Sequence, residues 1–217
     1  METLYSVFSI LILLSVFILM ASKRIKSYIA ALRAQAVLIA AATFVIGVRD
    51  IVGNKGVDLL VVSLIIVALK VVYIPHMLHK TWASVEYTVE KDFLMNIPML
   101  IMICCGIVVL TYVSLATVGS FAGNTMLLLV NSISVVLAGL FFIISRKKAI
   151  GHIVGLIVIE NGLFVTALFA TDGLPFIVDM GIFVDLVTSV LILGTMVFKI
   201  NDRFESIDID KLNNLRG

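Results

Sequence analysis

Charge is scarce in this chain: only 14% of its 217 residues are Asp, Glu, Lys or Arg, where a soluble domain carries about a quarter. With 61% of the residues hydrophobic, that excludes a soluble globular domain and a disordered chain. The net charge of +2 supplies no basic field for nucleic acid. Cysteine is limited to the adjacent Cys104 and Cys105, which lie inside an apolar run. They cannot build a disulfide framework, and they read as packing residues that say nothing of the redox compartment. There is no CxxC pair, glycine-rich phosphate loop or nucleophile elbow. His76 and His79 stand three apart beside Lys80 without an obvious third ligand, so they read as interfacial surface rather than a metal site. Three prolines are too few for the paired, broken spans of a self-contained transporter. Only Pro98 falls well within an apolar run. Long hydrophilic stretches are missing too, which leaves no room for an extramembrane domain.

What remains is apolar: 61% of the residues. Runs fall at about 3–21, 28–48, 57–75, 94–115, 125–145, 150–170 and 176–198. Each can cross a hydrocarbon core of ~30 Å as a helix. Lipid forces the backbone to satisfy itself, and the runs lack the alternation of barrel strands. The sequence therefore predicts an all-α, polytopic membrane protein of seven transmembrane helices. The first run is expected to be a span and not a signal peptide, because METLYS carries Glu2 and no basic residue.

Basic residues fix the expected orientation. Lys23, Arg24 and Lys26 follow the first run, Lys80 and Lys91 the third, Arg146 to Lys148 the fifth, and Arg203, Lys211 and Arg216 the seventh. The alternate connections carry only Arg49 and Lys55, or no basic residue. The N-terminus is then expected outside and the C-terminus in the cytoplasm of a cell inner membrane. Runs one to three faintly parallel runs five to seven, as parallel transporter repeats do. His76–Asp92 is the one sizeable hydrophilic connection, and it reads as an amphipathic surface piece anchored by Trp82 and Tyr87. His152 reads as a cap at the start of the sixth span. The tail, 201–217, spaces Ile207, Ile209, Leu212 and Leu215 among polar residues, as a docking segment would.

Ionisable residues inside the runs are the informative ones, because each costs ~2.5–3.5 kcal/mol near a helix centre. Glu160 lies in GLIVIENGLFV, Asp185 in MGIFVDLVTSV and Lys70 in IIVALKVVYIP. Unpaired and facing lipid, the three would cost roughly 8–10 kcal/mol together, so they are expected to face protein or water. Reversible protonation explains an acid at such depth; a buried helix staple is the competing reading. Asn161 can donate an amide hydrogen bond nearby, and Gly162 permits close approach of another helix. Thr188 and Ser189 share a face with Asp185. Arg33 is near enough to the inner end of its run to snorkel. Asp58 and Asp179 sit near helix N-termini, where a carboxylate is favoured.

Residues 125–217, with GLIVIENG, FVDLVTSVL and the IDIDKL tail, resemble the small three-span K component of respiratory complex I and the C component of Mrp-type cation/proton antiporters. The whole chain, with LKVVYIPHMLHK and the tail pattern of Ile200–Leu215, resembles the E component of the hydrogenase-4 type, a membrane protein of group 4 [NiFe] hydrogenase and formate hydrogenlyase-like complexes. The resemblance implies helices one to four over 1–124, a three-helix unit like the complex I K component over 125–200 and a cytoplasmic tail over 201–217. It implies a non-redox, non-catalytic subunit of an oxidoreductase complex, without cofactor or metal. Its neighbours would be antiporter-like and other membrane subunits, with peripheral hydrogenase and iron–sulfur subunits reached indirectly. Glu160 matches the membrane glutamate on the proton path of the K component. Asp185 is offset by about one turn from that family's second glutamate and is Asp instead of Glu. The expected path is thus Glu160, Asp185 and Lys70, with Asp179, Arg33 and Asn161 as further members. The alternative is a subunit of an Mrp-type antiporter without a redox partner.

Overall fold

The apolar runs become helices, as a chain that must satisfy its own backbone in lipid requires. The computed structural model describes residues 2–53, 56–83, 96–118, 123–146 and 149–170. All regular structure among them is helical: α1 (Glu2–Ala21), α2 (Ile25–Val52), α3 (Asp58–Ile66), a π-turn (Val67–Tyr73), α4 (Ile74–Ala83), α5 (Ile97–Val118), α6 (Asn124–Ser145) and α7 (Ala149–Ala170). Six stretches are long and apolar enough to cross a membrane: Thr3–Ala21, Ile25–Val52, Asp58–His76, Ile97–Thr117, Asn124–Ser145 and Gly151–Ala170. They coincide with the first six runs read from the sequence. The seventh run, with Asp179 and Asp185, and the tail 201–217 lie outside the described residues, so the inferred repeat and the boundary at 200 do too.

The boundaries have local causes. At 28 residues, α2 is about 42 Å long, longer than the hydrocarbon core. Lys26 at one end and Arg49 at the other can therefore reach the interfaces. Gly123, at φ 65°, takes a left-handed turn that opens α6 and is available to glycine without a Cβ clash. The apolar pattern places Pro98 inside the fourth span; α5 instead begins at Ile97, which puts Pro98 in the first turn, where its missing N–H costs nothing. The connection beginning at His76 is helical as far as Ala83, continuing the third span through α4.

α6 and α7 form the tightest hairpin. A Cβ at Gly139 would lie 2.9 Å from the Ile159 backbone nitrogen, and one at Gly162 2.8 Å from that of Val136. Gly155 faces the Gly139 carbonyl in the same way, at 3.1 Å. Three glycines on this seam let the backbones touch, which is how helices associate where lipid removes the hydrophobic drive. α1 packs against both α2 and α6. Its face Ile12, Val16, Leu19 and Met20 is fully buried, while Ser6 donates a hydroxyl hydrogen bond to the Asn124 side chain and Asn131 donates to Ser9 Oγ at 2.9 Å.

At the end of the bundle where α1 meets α2 and α6 meets α7, Tyr28 stands edge-on to Phe142, ring centroids 5.6 Å apart. Arg146, which the sequence assigns only to a loop, is buried there. Its guanidinium lies 4.3 Å from the Phe142 centroid and donates to the Met20 carbonyl at 3.2 Å, one of the carbonyls that the end of α1 leaves without a helical partner. His152 Nε2 is 2.8 Å from the Arg146 carbonyl; a carbonyl only accepts, so this nitrogen carries the hydrogen. His152 thus ties the start of α7 to the end of α6. Cys104 packs inside and Cys105 faces outward, both as free thiols. Most of α5 presents apolar side chains outward, among them Met102, Val109, Leu110 and Tyr112.

Candidate functional site: a buried lysine–glutamate cluster

Three elements converge near the middle of the bundle. Glu160 and Asn161 come from the centre of α7, Lys70 from the π-turn and Gln35 from α2. Lys70 Nζ lies 3.3 Å from Glu160 Oε1, with the two side chains 3% and 12% exposed. The directed hydrogen bond of the ammonium goes to Asn161 Oδ1, at 2.8 Å. Asn161 Nδ2 then donates to Gln35 Oε1 at 3.0 Å. The amide orientations are set by this order. An ammonium can only donate, so Asn161 turns its oxygen to Lys70 and its nitrogen to Gln35. That leaves Gln35 Nε2 as a buried donor, and both Glu160 oxygens as buried acceptors, with no hydrogen-bond partner among the described residues. Buried polar groups of this kind are where an ordered water or a partner group belongs. An ion pair taken out of water must be close and well supported to offset its desolvation; here the support is the two amides.

The position of Lys70 follows from the backbone. Pro75 has no N–H, so the carbonyl four residues earlier, that of Val71, has no α-helical donor. Upstream of it the chain widens into the seven-residue π-turn, and the Ile74 N–H reaches back five residues to the Leu69 carbonyl. Arg33 Nε on α2 donates to the Val71 carbonyl at 3.2 Å. The wide turn carries Lys70 at its centre and buries it. Wide turns of this type are frequent at functional sites.

Of the residues singled out from the sequence, the fold unites Glu160, Lys70 and Asn161. The amide hydrogen bond expected of Asn161 goes to Gln35. Lys70 is buried and faces protein, as expected of it. Arg33 is exposed and binds the turn next to Lys70 through a backbone carbonyl. Asp58 heads α3, in its first turn. His76 and His79 are both exposed on α4. Asp179 and Asp185 lie outside the described residues. Two residues are not singled out by the sequence. Gln35 is 1% exposed; its signal is a lone amide in an apolar run, overshadowed by Arg33 two positions away. Asp50 is 9% exposed, and its Oδ1 is buried with no hydrogen-bond partner among the described residues.

The fold and site together define a polytopic helical membrane protein with a buried ionisable cluster at mid-bundle. The chain is similar to an uncharacterized protein of Mycobacterium tuberculosis, Rv0085, with 26% identity over 185 residues, which is 84% of this chain and 82% of the relative. No family model matches the chain, and no solved structure does.

Proposed function

We propose that this chain is a non-redox integral membrane subunit of a complex I-related membrane-bound hydrogenase of the hydrogenase-4 or formate hydrogenlyase type. In this reading it contributes a proton relay and a scaffold for antiporter-like subunits. The observation that carries the relay is the Lys70–Glu160 contact at 3.3 Å, held at mid-bundle by Asn161 and Gln35. A purely structural staple needs no ionisable group, since neutral amides join transmembrane helices at lower cost. A carboxylate and an ammonium in contact supply what neutral amides lack: two groups whose charge changes with a proton. A proton arriving on Glu160 neutralises the partner of Lys70 and loosens the pair, and its departure restores it. The acceptors of Glu160 and the donor of Gln35 that remain open mark where water or a neighbouring group joins the relay. The outward apolar face of α5 supports the scaffold role, because it offers area to membrane neighbours. Asp185 and Asp179 are proposed to extend the same path from the seventh span.

The test is affinity purification of the full chain from its native membranes in mild detergent. Co-purification of a hydrogenase large subunit and iron–sulfur proteins with antiporter-like subunits is the expected result. Recovery of antiporter-like subunits alone would move the chain to a cation/proton antiporter without a redox partner.

A further inference from the structure

The cluster has a second tier that nothing in its charge chemistry requires. α2 makes two contacts with the site, two residues apart. Gln35 holds Asn161 through a side-chain bond of 3.0 Å. Arg33 holds the π-turn through the Val71 carbonyl at 3.2 Å. Val71 is the residue next to Lys70, and its carbonyl is the one that Pro75 deprives of its helical donor. An arginine serving only to reach the membrane surface would point its side chain toward the interface and leave this carbonyl alone. Here the Nε–H, the donor nearest the aliphatic stem, is spent on the turn.

We infer that Arg33 is a positioning residue for the relay: it replaces the N–H that Pro75 lacks, holds the π-turn open, and so keeps Lys70 against Glu160 and Asn161. The geometry gives the reason. Each residue of an α-helix advances by about 100° around the axis, so a turn that tightens from π to α swings Lys70 away from α7. A hydrogen bond to the carbonyl beside Lys70 opposes that tightening. Arg33 touches no proton on the path and acts only through the backbone that carries Lys70.

This inference rests on the relay reading above, and the experiment separates the two. Coupled proton uptake is measured in inverted membrane vesicles containing the whole complex, for Arg33→Met, Arg33→Lys, Arg33→Met with Pro75→Ala, and Glu160→Gln. Arg33→Met keeps the apolar stem and removes the donor. It is expected to assemble at wild-type abundance and to lower coupled uptake by about tenfold, less than the roughly 10²–10⁴-fold that a proton-transfer group itself contributes. Arg33→Lys keeps a donor and retains most of the uptake. Pro75→Ala supplies the α-helical N–H to the Val71 carbonyl and removes the cause of the wide turn, so it does not restore uptake to the Arg33→Met chain. Wild-type uptake by Arg33→Met beside an impaired Glu160→Gln overturns the positioning role and leaves the relay standing. So does loss of Arg33→Met from the membrane, or restoration of uptake by Pro75→Ala. Wild-type uptake by Glu160→Gln overturns the relay itself.

Discussion

At the scale of single residues, the account turns on a pair of ionisable side chains that are each costly alone. Glu160 and Lys70 are both largely buried and lie 3.3 Å apart. Removing one partner from such a pair leaves an uncompensated charge, typically a loss of 3–5 kcal/mol, whereas replacing both by apolar groups of similar volume is often neutral. Lys70→Met should therefore lower the thermal stability of the detergent-solubilised chain by about that amount, and Lys70→Met with Glu160→Met should recover most of it. Additive losses in calorimetry would show that the two groups do not compensate each other. Glu160, Lys70 and Asn161 are legible in the sequence because a charged or amide group is conspicuous in an apolar run and must find a partner. Which partner it finds is a matter of tertiary contact. Gln35 is joined to Asn161 across 126 residues of sequence, a distance over which no spacing rule operates. Asp50 is illegible for another reason. It stands at the end of its run, where a carboxylate is ordinarily solvated, and only the packed bundle shows it to be buried.

At the scale of elements, two devices set the geometry of the site. The first is the glycine seam between α6 and α7, which brings Glu160 and Asn161 to a fixed height against the rest of the bundle. Gly139→Leu should force α6 and α7 apart, since even a Cβ there lies within 3 Å of the Ile159 backbone. Overpacking of this kind costs about 1–3 kcal/mol, and it should lower both thermal stability and the yield of assembled complex. Gly106, which has open space where a Cβ would go, is the control position, and Gly106→Ala should leave both unchanged. An equal effect at the two positions would count against close packing at the seam. The role of Gly162 in close approach is readable from its place beside Asn161. The second device is the π-turn. Its apolar letters are those of any transmembrane helix, and the one local sign is Pro75, which marks a missing helical hydrogen bond without saying how the chain answers. The answer lies on α2, in Arg33, and becomes visible only once α2 and the third span are packed together.

For the whole molecule, helix number and placement are legible over the described residues, because length and hydropathy in lipid leave few alternatives. The first six apolar runs match the six observed membrane-length helices. Side of the membrane rests on the alternation of basic and nearly charge-free connections. With seven spans, reporter fusions at Gly119 and Gly217 should report opposite sides, outside for Gly119 and cytoplasmic for Gly217; both on one side would contradict that topology. The central claim is that the buried carboxylate of α7 moves protons and does more than hold helices together. The most direct measurement is coupled proton uptake by the assembled complex carrying Glu160→Gln, which keeps size and hydrogen bonding and removes titration. The account predicts uptake per assembled complex reduced by about a hundredfold or more, beside a loss of stability from the unpaired Lys70, and partial activity for Glu160→Asp. Normal assembly with uptake at the wild-type rate would contradict it and leave Glu160 as a structural staple.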